Sequence, residues 1–157
     1  MTDTQVWFVT GASSGFGRAI AEAAAAAGDT VVAAVRKPAA LDDLVAAYPG
    51  LVDPVALDVT DTTAGAAAVD AAVARHGRID VLVNNAGRTQ VGAVEETTDD
   101  ELRALFDLHV FGPFALARAV VPVVGSGSSA ATQLARVPRV IPRSVAIPRR
   151  VAPGVDR

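Results

Sequence analysis

The chain has no cysteine among its 157 residues. That excludes disulfides, thiolate nucleophiles and cysteine-bound metals. Aromatic residues make up 4% of the sequence, with one Trp and one Tyr, while 51% of residues are hydrophobic. The core must therefore come from small aliphatic side chains in close helix–sheet contact, and the hydrophobic share excludes a disordered chain. There is no basic n-region, and Trp7-Phe8-Val9 is too short for a signal core. No uninterrupted apolar run approaches the ~18 residues of a membrane span. A formal net charge of −3 argues against a general nucleic-acid binder. The expectation is one cytoplasmic domain with neither membrane nor nucleic acid as a partner.

The C-terminal stretch lacks more. After Val121 there is no Lys, Tyr, Phe or Asn, and the single acid is Asp156. Up to Ala117 acids outnumber Lys plus Arg by 16 to 7, whereas from Arg118 onward seven arginines stand against that one acid. Five of the nine prolines also fall there, which blocks continuous helix and central strand alike. This composition divides the chain into residues 1–121, an ordered α/β unit, and residues 122–157, an Arg/Pro-rich irregular tail. Such a tail matches a shifted reading frame of a GC-rich gene. The alternative is a natural basic extension that contacts an acidic partner.

The first part alternates between two periodicities. Gln5–Thr10, Thr30–Val35, Val52–Leu57 and Ile79–Val83 are short apolar runs that read as strands, with Pro54 marking the third as an edge. Gly15–Ala27, closed by Gly28, reads as a helix. Leu41, Leu44, Val45 and Tyr48 recur at helical spacing, and Asp61–His76 is helical with Val69 and Val73 on one face. Thr98-Asp99-Asp100-Glu101 is a capping box that opens a further helix, whose buried face is assigned to Leu102, Leu105, Phe106 and Val110. Gly112-Pro113 should bend it. Apolar strands separated by helical crossovers imply a doubly wound, Rossmann-like parallel sheet of order 3-2-1-4. Ligands then bind at the carboxyl ends of strands one and four.

Between the first strand and helix lies Thr10-Gly11-Ala12-Ser13-Ser14-Gly15-Phe16-Gly17. Gly11 would make the turn, Gly15 would let a pyrophosphate approach the backbone, and Gly17 would let helix and strand pack together. Ser13 and Ser14 could add hydroxyl donors. The end of the second strand holds Arg36 and Lys37 where an acid would hold the ribose hydroxyls of NAD, which favours NADP(H) over NAD(H). The plainer reading of the pair is a solvated strand end.

With Asp58-Val59 after the third strand and Asn84-Asn85-Ala86-Gly87 after the fourth, the glycine spacing resembles the short-chain dehydrogenase/reductase family. Phe106–Pro113 is similar to that family's fifth helix, and the resemblance runs from about Gln5 to Val121. It implies an oxidoreductase that transfers hydride between NADP(H) and a carbonyl or alcohol. By the same resemblance, Asp58 faces the adenine edge and Val59 lines its pocket. Asn85, Ala86 and Gly87 pass beside the adenosine ribose, and Asn84 braces the sheet. Asp58 could instead be a helix-entry residue, a role that Thr60 or Asp61 could also fill.

The family's chemistry uses a Ser, a Tyr and a Lys four residues after it, with an Asn in the fifth helix. Here the one Tyr is Tyr48 and the one Lys is Lys37, so no Tyr-x-x-x-Lys exists in the sequence. His109 stands at the Asn position, where it could hold a water or be a satisfied histidine, and it is the single catalytic candidate. His76 reads as a surface turn. Ser126, Ser128 and Ser129 lie near where the catalytic serine would fall and are not assigned. The expectation is a cofactor-binding part of such an enzyme, inactive alone and of low stability. Self-association through an exposed sheet edge or the fifth helix is expected with it. Two other classes are a non-catalytic dinucleotide-binding or interaction module, and a methyltransferase-like protein for which Arg36 and the Asn-Asn-Ala-Gly run have no use.

Overall fold

The computed structural model describes residues 4–123. The expected tail, with Ser126, Ser128 and Ser129, lies outside the described residues apart from Pro122 and Val123. Four parallel strands are present: β1 (Val6–Thr10), β2 (Thr30–Val35), β3 (Val52–Ala56) and β4 (Val81–Val83). They form one sheet of order β3-β2-β1-β4, so the expected 3-2-1-4 arrangement is found. Trp7 pairs with both Val31 and Val81, and Pro54 sits opposite Ala33 on the edge strand, where its missing N–H costs nothing.

Helices cover both faces, as a sheet buried on both sides requires. Helix α1 (Gly15–Ala26) and α2 (Asp42–Ala47) pack on one face, in a cluster with Val9, Val31, Ala33, Leu41 and Leu44 at its centre. On the other face α3 (Thr62–His76) joins Phe8, Val32, Val69, Ile79, Leu116 and Val120. Alanine makes this possible. Ala21, Ala24 and Ala25 present the buried face of α1 and let the helix lie close on the sheet.

Carboxylates fasten the amino ends of the strands. Asp80, with 2% of its side chain exposed, accepts from Val6 N at 2.8 Å and pairs with Arg78, tying the start of β4 to the start of β1. Asp29 accepts from Gln5 N and from Trp7 Nε1, both at 3.0 Å, and joins β2 to β1 in the same way. Asp53 on β3 receives Arg75 at 2.7 Å and His76 Nε2 at 2.9 Å from the end of α3. His76 is therefore a half-buried anchor of its helix and not the surface turn expected. Asp53 could not be singled out from spacing, because the pairing depends on where the edge strand lies.

The last helical stretch departs most from expectation. The capping box is present: Glu101 N donates to Thr98 Oγ1, and Glu101 Oε2 accepts from Thr98 N. Helix α4 (Asp99–Phe106) then passes through a π-turn over Asp107–Phe111 into α5 (Gly112–Val120). Gly112 N–H reaches Asp107 O, five residues back, so the expected disturbance before Pro113 takes the form of a widened turn. The face that turns inward carries Gly112, Leu116 and Val120, while Leu102, Phe106 and Val110 are exposed. Gly112 decides this. A Cβ there would fall within contact distance of the Val59 carbonyl, so a glycine has to face the β3–α3 junction.

The whole helical path from Asp99 to Val123 is 25 residues long, with mean hydropathy 1.5 over its most apolar 18-residue window. By length and composition alone it could cross a membrane. Counting uninterrupted apolar runs missed it, because Arg103, Asp107 and Arg118 break the run. In this fold Leu116 and Val120 are buried in the core cluster that includes α3.

The Asp80 clamp yields a measurable consequence. Asp80→Ala leaves Val6 N–H without its acceptor and should lower the unfolding free energy by about 2–3 kcal/mol. Urea denaturation followed by Trp7 fluorescence reads this directly. Asp99→Ala, which breaks an exposed ion pair, should stay near the wild type. Equal effects from the two variants would refute the clamp.

Candidate functional site

At the carboxyl ends of the strands, Thr10 is 1% exposed, and its hydroxyl uses its full capacity. It donates to Val83 O at 3.2 Å and accepts from Asn85 N and Ala86 N, both at 3.0 Å. Asn85 Nδ2 returns to Thr10 O at 3.0 Å and to Gly11 O at 3.3 Å. The ends of β1 and β4 are thereby locked side by side. This brace belongs to Asn85 and Thr10. Asn84, expected to brace the sheet, is exposed and donates to Pro113 O at 3.3 Å, which ties β4 to α5.

The glycine loop is built on that lock. Gly11 has φ +66°, a conformation open to glycine, and a Cβ there would press on Ala86 Cα. Gly17 is buried, and a Cβ on it would collide with the Asn85 amide and the Gly11 carbonyl, so helix α1 can start only against a bare backbone. Gly15 has φ +55° and open space where its Cβ would stand. Ser14 is the N-cap of α1 in extended backbone, and its hydroxyl makes no capping bond. The first-turn N–H groups therefore keep their donors for an incoming anion.

These elements enclose a cleft of about 410 Å³. Every expected cofactor residue except Gly15 and Gly17 lines it: Gly11, Ser13, Ser14, Phe16, Arg36, Asp58, Val59, Asn85, Ala86 and Gly87. Ala34, Val35, Leu57, Thr60, Arg88, Ala104 and Leu108 complete the wall. Phe16 is 83% exposed, an apolar ring on the cleft rim with little of its own fold to cover it. The open Gly15 position and the donor-rich helix start fit the pyrophosphate of a dinucleotide.

Asp58 is held by its neighbours. Its Oδ1 accepts from Thr60 N at 3.0 Å and from Thr60 Oγ1 at 2.8 Å. The Thr60 N–H, then its hydroxyl, and more weakly the Arg36 charge hold the carboxyl below its ordinary value against a modest cost of burial. The helix-entry role falls to Asp61, whose carboxylate caps α3 through Thr63 N and Ala64 N.

His109 sits on the π-turn and does not line the cleft. Its Nε2 donates to the Arg88 carbonyl at 2.9 Å. Tyr48 packs as a partly buried side chain beside α2, and Lys37 is the N-cap of a short 3-10 turn, so neither lines the cleft. Sequence reasoning missed Thr10 as the keystone and Arg88 as a cleft residue. The first was legible as a polar residue at the end of an apolar strand, and the second as the residue after Asn-Asn-Ala-Gly.

A parallel sheet of this order with a glycine loop entering a helix at its switch point defines a Rossmann-type nucleotide-binding protein. The family model described as short chain dehydrogenase matches residues 5–131, and the chain belongs to the short-chain dehydrogenase/reductase family. That match reaches 131, where the sequence resemblance was expected to end near 121.

Oxidoreductase BOA17 of Botryotinia fuckeliana is 43% identical over 122 residues, covering 77% of this chain and 44% of that protein. The 3-oxoacyl-[acyl-carrier-protein] reductase FabG of Thermotoga maritima is 38% identical over 121 residues, covering 75% of this chain and 49% of the relative. A crystal structure of a short-chain dehydrogenase from Streptomyces avermitilis shares 63% identity at TM-score 0.75, over 78% of this chain and 45% of that one. A metagenomic short-chain oxidoreductase in complex with NADP shares 36% identity at TM-score 0.71, over 76% of this chain and 56% of the other. The chain thus spans about half the length of the relatives it matches.

Two consequences can be measured. Thr10→Val keeps the shape but leaves the Asn85 and Ala86 N–H groups without an acceptor, and should cost about 2 kcal/mol of stability in a urea melt. Thr10→Ser should recover most of it. For Asp58, a folded pKa below the unfolded one means that its bonds add stability above the ordinary Asp value of ~3.9. That stability is lost as the pH falls through the lowered value. In an NMR titration Thr60→Val should move the Asp58 midpoint up toward ~3.9. An unmoved midpoint would show that Thr60 is not the cause.

Proposed function

We propose that this chain binds NADP(H) in the cleft at the carboxyl ends of β1 and β4. In this reading it is the cofactor-binding part of an oxidoreductase that interconverts a carbonyl and an alcohol. The observation that carries the cofactor preference is Arg36, the first residue after β2 and part of the cleft wall. A guanidinium there suits a 2′-phosphate, whereas NAD recognition would call for a carboxylate. Asp29 and Asp42, the acids flanking this segment in sequence, lie before β2 and inside α2 and do not line the cleft. The metagenomic relative solved in complex with NADP is consistent with this choice.

In this reading Gly11, Ser13 and the start of α1 hold the pyrophosphate. Arg36 holds the 2′-phosphate, Asp58 accepts from the adenine amino group, and Val59 lies against the ring. The backbone of Asn85, Ala86 and Gly87 runs under the ribose, held in place by Thr10. When bound, the nicotinamide supplies or accepts a hydride. The sequence offers no Tyr-x-x-x-Lys to move the accompanying proton, and His109 already donates to a backbone carbonyl through Nε2. What we propose for this chain itself is cofactor binding. The exposed Phe106, Phe111 and Phe114 support self-association along α4 and α5.

Isothermal titration with NADPH and NADH tests the reading. NADPH should bind about tenfold tighter or more, and Arg36→Leu should remove most of that difference while leaving NADH nearly unchanged. Equal affinities in the wild type would defeat the preference, and no binding of either would defeat the proposal.

A further inference from the structure

The cleft contains one cation that the dinucleotide reading does not use. Arg88 follows Gly87 past the end of β4, while Arg36 follows β2, with β1 and its glycine loop between them. The anion-suited positions thus run in order across the sheet: Arg36, then the start of α1, then Arg88. The first two account for the phosphates of a phosphorylated dinucleotide. Arg88 stands on the far side of the loop, beyond them.

Its surroundings define what it could hold. Among the described residues no hydrogen bond or ion pair engages the Arg88 guanidinium. Glu101, whose carboxylate feels the Arg88 charge, has its oxygens occupied by Thr98 and Gln90. The backbone is fixed where it matters. His109 Nε2 donates to Arg88 O at 2.9 Å, and a Cβ on Gly87 would stand 2.9 Å from His109 Cε1. The helical stretch that meets this segment through His109 and Glu101 gives the cleft wall the apolar side chains Ala104 and Leu108. A cation at the edge of a small apolar surface suits a ligand with an aliphatic body and an anionic end.

We propose that Arg88 is a specificity residue that binds the carboxylate or phosphate of a carbonyl substrate on the β4 side of the cleft. This rests on the dinucleotide reading for the meaning of that side, and the test separates the two. The isotope-labelled full chain, saturated with NADPH, is titrated with levulinate and with 2-pentanone, matched ketones with and without a carboxylate. The readout is the NMR signals of the Gly87 and Arg88 amides and of Arg88 Nε.

Levulinate should bind about fivefold to tenfold tighter than 2-pentanone, the worth of one charge-assisted contact at a half-open site. Arg88→Leu should abolish that preference and Arg88→Lys should keep part of it, with NADPH affinity changed less than about twofold. Equal binding of the two ketones, or no binding, would overturn the proposal. So would a tenfold loss of NADPH affinity in Arg88→Leu, since Arg88 would then serve the cofactor. If the wild type binds no NADPH, the dinucleotide reading fails by itself. The same titration without cofactor then decides for or against Arg88 by whether the carboxylate preference persists.

Discussion

The cleft depends on one hydroxyl. Thr10 ends the central strand, is almost wholly buried, and holds three backbone groups at the end of β4. A buried donor or acceptor without a partner costs about 1–3 kcal/mol, so three such groups satisfied by one side chain make a stiff junction. Gly11, Gly17 and Asn85 then fit around it with no room for another Cβ. The loop that would meet a pyrophosphate is thus shaped by packing against the neighbouring strand end as much as by its own glycines.

The two ends of the sheet divide the labour. At the amino ends, Asp80, Asp29 and Asp53 tie strand to strand or strand to helix, and these bonds fix the register. At the carboxyl ends the polar groups are mostly backbone donors and carbonyls, with Arg36, Asp58 and Arg88 as the charged side chains of the cleft. This matches the general placement of ligands in open parallel sheets, at the point where the strand order reverses. The amino end holds ion pairs and carboxylate clamps, while the carboxyl end carries both the Thr10 lock and the cleft.

Much of this was legible in the sequence, for stated reasons. The strands are mostly β-branched or apolar runs, α1 and α3 end at Gly28 and Gly77, and α3 and α4 open on the capping residues Asp61 and Thr98. The glycine loop read correctly as a strand-to-helix turn because its neighbours on both sides were already assigned. The helix after β4 did not read correctly. Its spacing marks out an apolar stripe of Leu102, Phe106 and Val110, but that stripe faces solvent, and the inward face is set further on, by Gly112 against the Val59 carbonyl. The His76–Asp53 pair and the Thr10 hydroxyl were hidden for a related reason, since each bond joins residues far apart in sequence whose proximity follows only from strand order.

The central claim is that the locked ends of β1 and β4 form a dinucleotide site. The most direct measurement is an NMR titration of the isotope-labelled chain with NADPH, following every resolved backbone amide. The account predicts that the largest shifts fall together on Gly11, Ser13, Ser14, Gly15, Arg36, Ala86 and Gly87, while the amino-end residues Val6, Asp29 and Asp80 stay still. Shifts spread along the exposed face of α4 and α5, or no shifts at saturating NADPH, would contradict it.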